Sequence, residues 1–186
     1  MSEGRKKQAH NSGKMLLIDA IIFLLTLILD QFVKERIRVT LPERSFFDVI
    51  PGILQIYHHE NGGSAFGMLQ GQTIFFVFIA VLVLLVVSYV LYSIPSEKKY
   101  IMLNVALTLV LSGAVGNTID RVMKSTVTDF IYVSVINFPI FNIADMYIVV
   151  ATFAILFLVI FVYKDEDLKF IDLGKTQDTR PIRKDE

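Results

Sequence analysis

Four aspartates define the chemistry open to this chain. Asp30, Asp120 and Asp145 stand at one end of three hydrophobic stretches, and Asp129 sits in the short apolar segment between the last two. A charged carboxylate at a bilayer centre costs about 2.5–3.5 kcal/mol and less towards the interface, so such residues are rarely idle. Acids gathered at one membrane face suggest a site. Carboxyls held there suit proton-transfer work, in hydrolysis or in proton-coupled transport.

Each acid also has a plainer reading. Asp129 lies in VTDFIYVSVINF, where Val127, Asp129, Ile131, Val133 and Val135 share one face of a strand at period two. If that face packs inward, desolvation and a neighbouring acid raise the carboxyl pKa; otherwise Asp129 is a solvated connector residue. Asp145 follows Asn142 by three, the spacing of an N-cap and an acid favoured by the helix dipole. Asp30 and Lys34 are i,i+4, a favourable helical ion pair. GNTIDR places Asn117, Asp120 and Arg121 on one helix face, with Asp120 expected to partner Arg121. NGGSAFG, from Asn61 to Gly67, reads as a turn, or as glycines that let backbone approach an extended peptide.

These residues need elements to hold them. Of the 186 residues 54% are hydrophobic, and the mean hydropathy is +0.58. Both favour a membrane protein over a soluble domain. Apolar spans are expected at about 15–33, 73–94, 100–119 and 143–163, each near the 20 residues that cross the hydrocarbon core as a helix. The leader 1–14 is basic, the run after it is long for a signal-peptide core, and no A-x-A site follows, so span 1 is read as uncleaved. The segments 37–72 and 121–141 contain β-like stretches such as ILQIYHH, predicting a small β element over one end of the bundle. The residues 164–186 form a polar tail.

Charge sets the orientation. With the N-terminus inside, cytoplasmic segments hold twelve Lys and Arg residues against six outside. Both termini are therefore expected in the cytoplasm and all four acids at the outer face. Net charge is zero, which gives no support to a nucleic-acid partner. There are no cysteines, excluding thiol catalysis, thiolate metal sites and disulfides. His10, His58 and His59 lack metal-ligand spacing, so neither a metal nor a cofactor is expected.

Taken in order, DQFVK (Asp30 to Lys34), NGGSAFG, GNTIDR with VTDF, and FNIADM resemble the motif series of the lipoprotein signal peptidases, the type II signal peptidases. The resemblance covers roughly residues 16–163, including the four-span layout. It implies an α-helical membrane protein of four transmembrane helices with a small extracytoplasmic β element, acting in the bacterial cell membrane. The implied activity is that of an aspartic endopeptidase that cleaves prolipoprotein signal peptides before a diacylglyceryl-modified cysteine. Asp129 and Asp145 match the catalytic pair. Asp30, Lys34, Asn61, Gly63, Phe66, Asn117, Arg121 and Asn142 match positions that line or brace the substrate pocket, with Asp120 behind them. Ser64 and Ser112 depart from the family's usual alanine and glycine, which bears on pocket shape and not on a titrating group.

In such a site one ionised carboxylate would activate water while its protonated partner polarises the scissile carbonyl. A monomer suffices, and the substrate's lipid chains would stay in the bilayer against span 2 and the small-residue face of span 3. Two rivals use other features. A serine–lysine peptidase would pair Ser64 or Ser112 with Lys34 or Lys124, leaving the acids unexplained and lacking a G-x-S-x-G elbow. A proton-coupled transporter or channel subunit would place its acids near the midplane, often in repeated halves, and no repeat is visible.

Overall fold

The computed structural model describes residues 13–63 and 71–171. Most of the expected leader, the tail beyond residue 171, and Ser64 and Phe66 in NGGSAFG lie outside the described residues. Four helices, α1 (Gly13–Thr40), α2 (Thr73–Ser93), α3 (Ile101–Lys124) and α4 (Ile143–Phe157), dominate the fold. A π-helical turn, Leu158–Val162, continues α4. Each is long and apolar enough to cross a membrane.

α3 is the hub, packed against α1, α2 and α4 and largely buried, whereas the other three turn most of their surface outward. Their outward faces carry Leu25, Phe32, Leu85, Phe153 and Phe161. Such surface belongs in hydrocarbon, where helices satisfy their own backbone groups. Small residues let α3 be surrounded. A Cβ on Gly113 would lie 2.5 Å from the Ala144 carbonyl oxygen of α4, and one on Gly116 would lie 2.6 Å from Asp30 Oδ2 of α1. The small-residue face expected to meet lipid chains is thus covered by protein. Small residues at helix interfaces draw backbones together instead.

Two helices overrun their expected ends. α1 continues past Val33 to Thr40, so the first outer segment begins at residue 41 and not at 37. Its last turns are polar outside but present one inward stripe, Asp30, Lys34 and Arg38 at i, i+4 and i+8. α3 runs to Lys124 rather than 119 and ends where Ser125 adopts a left-handed φ of 62°. That conformation lets the chain reverse within two residues into a strand.

One end of the bundle carries a three-stranded antiparallel sheet in the order β1 (Phe46–Ile50), β2 (Leu54–Asn61), β3 (Val127–Val133). At the inner end of β3, Asn61 faces Val127, Glu60 faces Thr128 and His59 faces Asp129. The expected alternation of burial along β3 is absent. Val127, Thr128, Asp129 and Phe130 are buried in succession, because this half of the strand lies against the ends of α1 and α3. At the opposite end of the bundle, Tyr100, Tyr163 and Phe170 pack with Leu91, Ile94 and Leu103. The first residues of the tail fold back there, with Lys99 Nζ 2.7 Å from Asp167 Oδ1.

Candidate active site

The site assembles where β3, the start of α4 and the outer ends of α1 and α3 meet. α4 starts with a capping box: Asn142, in an extended conformation, accepts from the Asp145 N–H through Oδ1 at 3.0 Å. Asp145 Oδ2 in return accepts from the Asn142 N–H at 3.1 Å. A second helix contributes to the same cap, for Asp30 Oδ1 accepts from the Ala144 N–H at 3.1 Å. Two orphan donors of α4 are satisfied this way, and Asp145 is rigidly placed.

Three amides then aim their N–H groups at the two acids. Asn117 Nδ2 donates to Asp145 Oδ1 at 2.7 Å, Asn142 Nδ2 to Asp129 Oδ1 at 2.7 Å, and Asn61 Nδ2 to Asp129 Oδ2 at 2.8 Å. None is free to flip, because a group that can only donate engages each amide oxygen. Lys34 Nζ lies 2.9 Å from Asn117 Oδ1, the Gly63 N–H 2.9 Å from Asn61 Oδ1, and the Asp145 N–H holds Asn142 Oδ1. All four carboxylate oxygens therefore accept one N–H each, and Asn142 bonds to both acids.

Behind this layer lies a buried ion cluster. Lys34, fully buried, reaches Asp30 Oδ2 at 2.9 Å and Asp120 Oδ2 at 3.1 Å besides Asn117. Its three donors face three acceptors, which a lysine away from water requires. Arg38 Nη1 approaches Asp120 Oδ1 at 3.4 Å, so two cations balance two anions. Asp120 was expected to pair with Arg121; the structure gives it to Lys34 and Arg38. The helix register explains the swap, since neighbours in sequence point about 100° apart. Arg121 instead turns to the outer rim, 3.3 Å from the Gly63 carbonyl and with its guanidinium 4.6 Å from the centre of the Phe76 ring.

A cleft of about 270 Å³ opens onto the acids. Asp129, Asp145, Asn61, Gly63, Asn117 and Arg121 form its polar side, and Val127, Val149 and the segment 138–141 its apolar side. Asp30, Lys34, Asp120 and Asn142 stand behind it. Phe66 lies outside the described residues. Asp129 is only 3% exposed. Burial first, and then the charge of Asp145, push its carboxyl up to about 7, against the donors Asn61 and Asn142 and the Lys34 charge, which hold it down. Among the described residues no group of three or more His, Asp or Glu side chains is placed to hold a metal ion.

The geometry disfavours a serine–lysine arrangement with Ser112. Its hydroxyl lies 2.7 Å from that of Thr26, at the α1–α3 contact, while Lys34 is committed to two carboxylates and an amide. Lys124 lies 4.0 Å from Glu35. Three site residues had escaped sequence reasoning: Arg38, Glu60 and Thr128. Arg38 was legible as the next turn of the Asp30–Lys34 stripe once α1 is allowed to run on. Glu60 and Thr128 meet only through strand pairing.

Comparison with known proteins agrees with the motif series. A family model described as signal peptidase (SPase) II matches residues 22–161. The lipoprotein signal peptidase of Staphylococcus haemolyticus is 37% identical over 154 residues, covering 82% of this chain and 94% of its own. That of Enterococcus faecalis is 39% identical over 164 residues, covering 87% and 96%. A solved bacterial membrane enzyme, determined by the in meso method, superposes with a TM-score of 0.70 at 30% identity, covering 92% of this chain and 98% of its own.

Proposed function

This chain belongs to the signal peptidase II family, and we propose that it removes signal peptides from prolipoproteins by an aspartic mechanism at the outer face of the membrane. Membership makes it a protease and a multi-pass protein of the bacterial membrane. The finer reading is that it cuts before a diacylglyceryl-modified cysteine, with the lipid chains left in the bilayer, and that a single chain suffices.

One observation carries this reading: two carboxyls share a single cleft, are joined through Asn142, and have every oxygen held by an N–H donor. Two carboxyls at one site share a proton. In the cycle proposed here Asp129, on the buried strand, takes the protonated role and Asp145, at the helix start, that of the base. Asp145 accepts a proton from water as its oxygen attacks the scissile carbonyl carbon, and Asp129 gives its proton to the carbonyl oxygen. The tetrahedral diol then collapses. The Asp145 proton passes to the departing nitrogen, Asp129 recovers its own, and the C–N bond breaks. The pair titrates as a unit, so macroscopic pKa values belong to both acids. Asn61 and Gly63, beside Arg121, offer the peptide polar contacts at the rim, and the apolar wall opposite suits the side chains near the cleaved bond.

Asp129→Asn and Asp145→Asn each remove one proton-transfer group while keeping the side chain's size. Both variants should stay folded in detergent and lose cleavage of a lipid-modified precursor by about a thousandfold or more. Substantial turnover by either one sinks the dyad.

A further inference from the structure

Glu60 plays no part in the proposed chemistry, yet its carboxylate is bonded by three side chains. Its Oε2 accepts from Thr126 Oγ1 at 2.6 Å and its Oε1 from Thr128 Oγ1 at 2.9 Å. The two threonines flank Val127, and Thr128 immediately precedes Asp129. His58 Nε2 lies 3.0 Å from the same Oε1, while His58 Nδ1 faces the Leu41 carbonyl at 2.7 Å. Both ring nitrogens of His58 thus face acceptor oxygens, one on the chain at Leu41 and one on Glu60. Burial alone would raise the Glu60 pKa, but hydrogen bonds from Thr126, His58 and Thr128 keep it below the usual carboxylate range.

The fully buried Thr128 hydroxyl gives this cluster its direction. It accepts from Arg38 Nη1 at 2.8 Å, so its single proton goes to Glu60. A continuous line results, running from Asp120 through Arg38 and Thr128 to Glu60 and His58. It ties α1 and α3 to the paired strands β2 and β3 at the residues next to the site. Glu60 faces Thr128 in the ladder; their neighbours Asn61 and Asp129 make the 2.8 Å bond of the site.

We propose that Glu60, clamped by Thr126, Thr128 and His58 and anchored to α1 through Arg38, is a positioning residue that holds Asn61 on Asp129. The proposal rests on the aspartic reading for its catalytic readout only. Losing the Glu60 carboxylate leaves two threonine hydroxyls and the His58 ring without their shared partner, and the ends of β2 and β3 lose their side-chain tie. Asn61 then donates to Asp129 less well. A carboxylate that loses a donor holds its proton more tightly, so the Asp129 titration moves up. Asp129 also faces Asn142 and Asp145 of α4 and the charges of Lys34 of α1 and Arg121 of α3, none of which Glu60 touches.

The experiment compares Glu60→Ala with Glu60→Gln in the full-length protein in detergent. Glu60→Ala should lower kcat roughly tenfold with little change in KM, and shift the alkaline limb of the kcat profile to higher pH. Glu60→Gln keeps an oxygen for the Thr128 hydroxyl and offers an N–H to that of Thr126, which can turn to accept it, and should recover most of both. A carbon-13 titration of the Asp129 carboxyl, which needs no substrate, should move upward in Glu60→Ala and return in Glu60→Gln. If wild type fails to cleave a lipid-modified precursor, the peptidase reading falls while the carboxyl titration still judges the clamp. Wild-type titration of Asp129 in Glu60→Ala, or a lowered melting temperature with an unmoved alkaline limb, overturns the positioning role.

Discussion

Asp129 and Asp145 have matching donor sets but different mountings, and that difference predicts pH behaviour. Asp145 sits on a helix start and Asp129 on a buried strand, where its carboxyl is pushed up to about 7. Turnover that needs Asp129 protonated should fall as pH rises through about 7. Stability carries the same signature. The folded state holds this proton to a pH well above the ordinary carboxyl value of 3.8, so it binds more protons than the unfolded chain across that window. The contribution is fully present below 3.8 and is lost as pH climbs to about 7. Asp129→Asn removes the titration, so its melting temperature relative to wild type should climb between those limits and level off above them. A pH-independent difference would mean that Asp129 titrates normally in the folded protein. The acids were legible in the sequence because a carboxylate among apolar residues is costly, and Asn142 because a cap has a fixed spacing. The partner of Asp120 was not, since ion pairing across helices depends on facing, which adjacency in sequence does not report.

At the scale of elements, the acids keep their geometry because α3 lets two neighbours come unusually close. Gly113 meets the backbone of α4 at Ala144, the residue whose own N–H is held by Asp30. A methyl at Gly113 would collide with the Ala144 carbonyl oxygen at 2.5 Å and with an Ile148 side-chain carbon at 2.8 Å. A backbone oxygen cannot step aside, so α4 must shift and take Asp145 with it. Gly113→Ala should cost about 1–3 kcal/mol. It should also lower kcat more than its stability loss implies, as judged by melting curves and rates on the same preparation. At Gly116 the atom in the way, Asp30 Oδ2, belongs to a side chain already pinned by Lys34, so Gly116→Ala should break the Asp30 cap as well. An unshifted melting temperature for both variants would show that the helices are not in close contact here. Hydropathy revealed the spans, but their ends were blurred: the outer turns of α1 are polar, and only their inward stripe shows that the helix continues. The small residues of α3 were visible, yet whether they face lipid or protein depends on the partner helix.

For the whole molecule, the apolar belt and the charge distribution are the two features from which the proposed orientation is argued. The sheet and the acids lie at one end of the bundle, and the Tyr100–Tyr163–Phe170 cluster at the other. Lys98 and Lys99 lie on the short link between α2 and α3, beside that cluster, and the polar tail starts there too. Twelve of the 18 basic residues fall in the leader, this link and the tail. Retention of Lys and Arg on the cytoplasmic side is the ground for the proposed orientation, in which the sheet and the cleft lie outside. A signal peptide crossing the membrane would present its outer end to that cleft, so the proposed substrate and the orientation stand together. The chain has no cysteine, which makes the test direct. A single cysteine at exposed Asp48, on β1, should react in intact cells, stripped of any outer envelope, with a membrane-impermeant maleimide. One at exposed Glu97, on the α2–α3 link, should react only after the membrane is opened. The reverse pattern would put the acids in the cytoplasm, away from exported precursors, and would remove the proposed function whatever the chemistry of the pair.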